Sequence, residues 1–248
     1  MVTHLIIMSS SYSQGTRIAN DYVIEDKYDK EYEAKRITRI LNECGDDVSI
    51  STHLVQTEAA EWESVYRYDA FFKDVKLIQD LDEFIKTINE DRDLKGIDIA
   101  KYIISKMKCT HLKLQKLVYF CYAEYLSKMN KKLFTDSIYA FQYGPVVETI
   151  YNKYRDSGSY EIDNTKNISI RKSLEMPARS RITFAKDGLN KWSIIDKTIE
   201  KYGDMTAVDL VELTHQKGSP WDKTYIEGEI YKVIQDRDII KYHKNETI

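Results

Sequence analysis

With 248 residues, 42% of them apolar, the chain has material for one large domain or two ordinary ones, and global disorder is excluded. Its 37 Lys and Arg are interspersed with 40 Asp and Glu to give a net charge of −3, which lacks the basic excess that phosphate neutralisation demands and argues against a nucleic-acid partner. No uncharged run approaches the roughly twenty residues of a membrane span and no charged-then-apolar leader opens the chain, so a cytoplasmic protein without a membrane role is expected.

Val2 to Met8 reads as a buried strand, followed by a polar turn or loop from Ser9 to Gly15. That loop has neither the glycines nor the following Lys-Ser or Lys-Thr of a phosphate cradle. Ala34, Ile37, Leu41 and Cys44 mark one face of a helix that Gly45 stops. Val48, Ile50, Thr52 and Leu54 alternate with polar neighbours, which predicts a strand burying that face and turning His53 to solvent. Residues 57–73 mix a helical Glu58-Ala59-Ala60-Glu61-Trp62 with extended-looking segments around Val65 and Phe71. Val75 to Ile78 is a short strand, and Asp80 with Glu83 forms a capping box for a helix carrying Leu81, Phe84, Ile85 and Ile88. Strands alternating with helices predict a small α/β or α+β unit over residues 1–92, with Asn89 to Gly96, charged and closed by glycine, as the linker.

Beyond it, Ile99, Ile103, Ile104 and Met107 stripe a helix over 97–107. The central element is the next one. Leu114, Leu117, Val118, Cys121, Tyr125 and Met129 recur at helical spacing behind Thr110 as N-cap, and Tyr119, Phe120, Tyr122 and Leu126 widen the apolar surface past a single stripe, so neighbours must cover it on several sides. Burying about ten such side chains at roughly 1.5–3 kcal/mol each makes this helix a large share of the hydrophobic stabilisation. Ile138 to Tyr143 then reads as a short strand, with Gly144 as a turn and Pro145 as the first position of a helix whose Val147, Ile150, Tyr151 and Tyr154 face inward until Ser157-Gly158.

Tyr160 to Pro177 lacks a period and reads as a protruding hairpin or loop, made basic by Arg171, Lys172, Arg179 and Arg181, with Ile182-Thr183-Phe184 returning as a strand. Asp187 caps a helix with Leu189, Trp192, Ile195, Ile199 and Tyr202 inward. Thr206 with Asp209, and Ser219 with Pro220 and Asp222, form two more helix starts, the first ahead of Val208, Val211 and Leu213. Residues 230–242 supply one or two short terminal helices.

His4, His53, His111, His215 and His243 are scattered, Cys44, Cys109 and Cys121 fit neither a disulfide framework nor a zinc site, and no nucleophile elbow occurs. No catalytic residue, metal or cofactor is therefore expected, and the thiols read as reduced core residues. The 206–225 segment has the length of a helix-turn-helix, but Pro220-Trp221-Asp222 stands where a reader of bases wants Arg, Asn or Gln, so it reads as a structural corner.

An ordered set of residues resembles a known family: Leu114-Gln115-Lys116-Leu117-Val118-Tyr119-Phe120, Leu133-Phe134, Ala140-Phe141-Gln142-Tyr143-Gly144-Pro145-Val146-Val147, Ile150-Tyr151, Tyr154, Leu213-Thr214-His215 and Gly218-Ser219-Pro220-Trp221. It is similar to the SocA-like antitoxins that carry the Panacea domain, also described as phage GepA-like proteins, from about Ile97 to the Trp221 helix. The resemblance implies an α+β fold, a mainly helical globule with a short β element over 97–248, in which Gln115, Tyr143, Gly144, Pro145, His215, Ser219, Pro220 and Trp221 are the motif residues. It also implies an antitoxin that binds a cognate protein toxin directly, with Phe141, Tyr143, Pro145, Tyr151, Tyr154, Arg171 and Arg179 as the expected contact residues and the first ninety residues adjusting which toxin is recognised. Two alternatives accompany it: an adaptor that delivers the toxin to an AAA+ protease, as the family's founding member does, and a phage or prophage regulator that binds DNA through the basic protrusion. A homodimer is left open.

Overall fold

The computed structural model describes residues 1–24, 30–162 and 168–248. Residues Met1–Asp93 form one compact unit and Leu94–Ile248 another. No helix among the described residues is long and apolar enough to cross a membrane. The fold class is α+β, as the strand and helix patterns predict.

In the first unit, β1 (Val2–Ser11) pairs antiparallel with β2 (Thr16–Ile24) through a hairpin and, on its other side, with β3 (Ser51–Thr57), while the short β4 (Val75–Leu77) lies parallel to β2, giving the order β3-β1-β2-β4. The uninterrupted apolar run in β1 follows from covering both faces of the sheet. Leu5 and Ile7 share a core with α1 (Lys30–Cys44) and α3 (Leu81–Arg92), and Ile6 and Met8 share another with Val65 of α2 (Trp62–Tyr68) and Phe72 of the 3₁₀ turn Ala70–Phe72. Asp80 caps α3 by accepting from the Glu83 N–H at 2.8 Å.

Two expectations for this unit need correction, and one strand is not anticipated at all. Strand β2 escapes a period-2 reading because the polar Asn20 and Asp21 sit in its middle; both are buried, the Asn20 amide donating to the Ile78 carbonyl at 2.8 Å and Asp21 facing the buried His4 ring at 2.8 Å. Strand β3 buries Val55 and Thr57 and packs His53 against Phe71 and Phe72, whereas Leu54 is 63% exposed, so the inward face is opposite to the one expected. The expected linker is largely helix: α3 runs to Arg92, whose guanidinium bonds the Cys44 carbonyl and Asp47, and Gly96 already opens the next helix.

The second unit is built round α5 (His111–Met129), every residue of which from Leu114 to Leu126 is buried. A helix apolar on all sides is stable in water only when enclosed, and α4 (Gly96–Lys106), α6 (Glu148–Tyr154), α8 (Gly188–Tyr202), α9 (Ala207–Thr214), α11 (Asp236–Tyr242) and strand β6 (Gly144–Val147) enclose it. Thr110 caps it through the Lys113 N–H at 3.2 Å, and Asn130 ends it in the left-handed region. Three of its phenols tie the surrounding elements down: Tyr119 donates to Glu246 at 2.6 Å, Tyr122 to Asp236 at 2.7 Å and Tyr125 to Asp187 at 2.6 Å. Tyrosine suits this role because its ring packs while its hydroxyl finds a partner at the edge of the core.

Here too the tertiary structure departs from the local reading. Pro145 lies in β6, paired with β5 (Ile138–Phe141), and the following helix starts only at Glu148. The expected basic hairpin is a helix, α7 (Ile168–Thr183), with Pro177 inside it; residues 163–167 of that stretch lie outside the described residues. Its sequence hides it because only Ala178 and Ile182 are buried, the rest of its seat on α4 being polar: Glu175 to Lys106 at 3.1 Å and Arg181 to Asp98 at 3.5 Å. Residues 182 and 183 end this helix instead of forming a strand. Leu189 and Val208 are exposed, not inward, and Asp187 makes no side-chain cap. Residues 232–234 pair with β5, the Ile234 N–H donating to the Ile138 carbonyl at 2.8 Å, so helix begins only at Asp236.

Candidate partner-binding surface

The motif residues, dispersed from Gln115 to Trp221, converge on the β5–β6 hairpin. Gln115 of α5 acts as a further strand neighbour, its amide donating to the Val147 carbonyl at 3.0 Å and accepting from the Val147 N–H at 2.9 Å. The next residue, the fully buried Lys116, donates to the Pro145 carbonyl at 2.9 Å. Gly144 has φ +95°, and a Cβ there would stand 2.7 Å from Thr214 Oγ1 and 2.8 Å from Lys116 Nζ, so only glycine fits. From the far end of the motif, the Trp221 indole donates to the Phe141 carbonyl at 2.8 Å and is sandwiched between His215, at 3.7 Å, and Tyr225, at 4.6 Å. Ser219 holds that corner by donating to the Thr214 carbonyl at 2.6 Å and capping α10 (Pro220–Thr224) through the Asp222 N–H at 3.0 Å.

So braced, the hairpin presents aromatic rings. Tyr143 at its turn is 62% exposed. The half-buried Phe141 packs edge-on against Tyr151 at 5.9 Å and against the exposed Tyr231 at 5.6 Å, with the Arg155 guanidinium 5.8 Å over the Tyr151 ring. Of the other expected contact residues, Pro145 is buried and belongs to the brace, because β6 is enclosed over its whole length. Tyr154 is half-buried, its phenol pushed up by burial and then by the neighbouring Cys109. Arg171 reaches the Lys106 carbonyl at 3.4 Å, and Arg179 lies 4.1 Å over the Trp192 ring. Among the described residues no ring or ion-pair contact joins these two arginines to the Phe141 group.

Behind the hairpin lies a buried ionic group that the linear reading misses. Lys116 and Glu124, eight residues apart, occupy one face of α5 under the C-terminal segment. Glu246 accepts from both Tyr119 and the His243 Nδ1, the latter at 2.9 Å, and His243 Nε2 lies 3.8 Å from Glu124, an ion-pair distance too long for a hydrogen bond. Burial pushes Lys116 down to about 7, with Glu246 working the other way. Burial also opposes the His243 imidazolium, but Glu124 and Glu246 together outweigh it and raise its pKa. His111 and His215, either side of Lys116 in the chain, are both lowered by burial and then by the Lys116 charge, which keeps them neutral. The detectable signal was a lysine and a glutamate, with Gln115, inside the otherwise apolar and aromatic stretch from Leu114 to Leu126.

Burial pushes the Cys109 thiol up to about 12 and raises Cys121 further, so neither is a nucleophile at neutral pH. Among the described residues no three His, Cys, Asp or Glu side chains are grouped to hold a metal ion.

Residues 114–222, the stretch that includes the hairpin and its brace, match the family described as Antitoxin SocA-like, Panacea domain. The chain is similar to Antitoxin SocA of Caulobacter vibrioides (strain NA1000 / CB15N), 27% identical over 113 residues that make up 46% of this chain and 58% of that protein. No solved structure matches.

Proposed function

We propose, from the match of residues 114–222 to the SocA-like Panacea family, that this chain is an antitoxin that neutralises a cognate protein toxin by direct contact, in the cytoplasm and without catalysis. The observation that carries the proposal is the hairpin itself. A turn held by Gln115, Lys116 and Trp221 keeps Tyr143, Phe141, Tyr151 and Tyr231 in place without cost at binding, and aromatic rings on a rigid support are what interface hot spots consist of. Exposed Met176, Phe184 and Leu189 on and beside α7 extend the apolar surface available to a toxin. Residues 1–92 act as an accessory unit that adjusts which toxin is bound. Arg171 and Arg179 stay engaged within their own unit, which favours protein over DNA as the partner.

The test is co-expression with the product of the neighbouring gene. Growth arrest by that product alone, relief by this chain, and loss of relief in a Tyr143→Ala, Tyr231→Ala double variant with unchanged melting are expected. The proposal fails if the neighbour is harmless alone or stays toxic beside the wild-type chain. Toxin abundance measured in the same cells separates sequestration, which leaves it unchanged, from delivery to a protease, which depletes it.

A further inference from the structure

The two edges of the four-stranded sheet in the first unit are treated differently. Strand β4 is three residues long, parallel to its neighbour and carries Lys76, the features that keep an edge from pairing with foreign strands. Strand β3 has none of them. Ser51-Thr52-His53-Leu54-Val55-Gln56-Thr57 contains no Asp, Glu, Lys or Arg and no proline, and it follows β1 residue for residue without a bulge. Its outer side has no strand neighbour among the described residues. On one face Leu54 is 63% exposed although its cross-strand partner Leu5 is fully buried, because the cover of α1 and α3 stops at β1. Along its outer edge an open groove of about 470 Å³ runs between residues 53–56 and the wall made by Tyr68 and Phe71, which are 71% and 46% exposed.

We propose that β3 is a pairing edge through which two copies of this chain join antiparallel into a continuous eight-stranded sheet. The occupant is argued from the strand's own composition. About a two-fold axis at Leu54, Leu54 meets Leu54 of the second copy, Thr52 meets Gln56, His53 meets Val55 and Ser51 meets Thr57, so each side chain opposes one that carries no fixed charge. A foreign strand would have to match this uncharged pattern; a second copy matches it by construction. Main-chain hydrogen bonds then satisfy the open edge, and Leu54, otherwise a solvent-exposed apolar side chain, becomes buried against its equivalent. Eight strands remain within the range of ordinary twisted sheets.

Light scattering on the size-fractionated full chain tests this. The wild type is expected at twice the 29.1 kDa of one chain, and Leu54→Lys, which sets two ammonium groups face to face, at the single-chain mass with the same melting curve. Leu54→Cys, placed in a chain whose three native cysteines are buried, is expected to form an intermolecular disulfide with oxidised glutathione, whereas Tyr160→Cys, exposed elsewhere, stays mainly uncrosslinked. A wild type of single-chain mass at every concentration overturns the proposal. So does a dimer that Leu54→Lys leaves intact and Leu54→Cys does not crosslink, and so does a chain that remains single until the neighbouring gene product is added.

Discussion

Replacing Lys116 by methionine should make the second unit more stable at neutral pH and less stable in alkali. The lysine is fully buried and its pKa falls from 10.5 to about 7, chiefly through burial. A fall of roughly 3.5 units, at about 1.4 kcal/mol each, corresponds to an unfavourable contribution of about 5 kcal/mol. The unfolded chain takes up this proton below 10.5 and the folded chain only below 7, so the penalty is complete at pH 7 and lower and is relieved as the pH rises to 10.5. Methionine has similar length and no proton, but it leaves the Pro145 carbonyl without its donor, a loss of about 1–3 kcal/mol. The variant should therefore gain about 2–4 kcal/mol at pH 6–7, cross the wild type in mild alkali and fall below it by about 1–3 kcal/mol near pH 10.5. Urea unfolding followed by Trp192 and Trp221 fluorescence in a Trp62→Phe background measures the difference, in which titrating groups out of reach of Lys116 cancel and only His111, His215 and Glu246, which feel its charge, add to the lysine's own term. A difference that does not change with pH, or a variant weaker throughout, refutes the reasoning and means that the ammonium is held charged by Glu246.

Gln115→Leu strips both hydrogen bonds from Val147 and leaves a buried N–H and carbonyl unpaired, so denaturant unfolding should show a loss of about 2–5 kcal/mol. Gly144→Ala combines a positive φ with contacts under 3 Å to Thr214 and Lys116; a loss of about 2–5 kcal/mol is expected, and a thermal shift near zero would mean that the turn can rearrange. His243 has its pKa raised above the ordinary 6.5, so the stability it adds is complete below 6.5 and disappears as the pH climbs through the folded value. The margin of the wild type over His243→Gln should accordingly shrink from pH 6 to pH 8, and a margin that grows over that range contradicts the placement of the imidazolium between Glu124 and Glu246.

Helix α5 was legible because ten of its thirteen successive buried positions are apolar or aromatic, so the apolar surface spreads well past a single stripe. The caps at Asp80, Thr110, Thr206 and Ser219 were legible for a related reason: each depends on residues within three positions of one another. The expected surface residues Tyr143 and Phe141 were placed beside the turn by adjacency alone. Helix α7 was not legible, since its inward face is largely ionic and a proline interrupts it, so neither period nor composition marks it. Strand β3 was found but turned over, because its alternation holds apolar residues on both faces and only an edge position explains an exposed Leu54.

Sequence by itself determined the central helix, its N-cap and the glycine turn at 144, and it showed strands alternating with helices at the start and helices dominating the remainder, all of them consequences of local periodicity and backbone sterics. Tertiary structure alone decided that Gln115 completes a strand, that Lys116 is fully buried and bonded to the Pro145 carbonyl, that Pro145 is sheet and not helix, and that His243 and Glu246 close over Glu124. The Gln115, Lys116 and Glu124 contacts among these depend on partners about 30 to 120 residues away, and a polar side chain next to nothing but its chain neighbours carries no mark of whether water or another part of the fold will answer it.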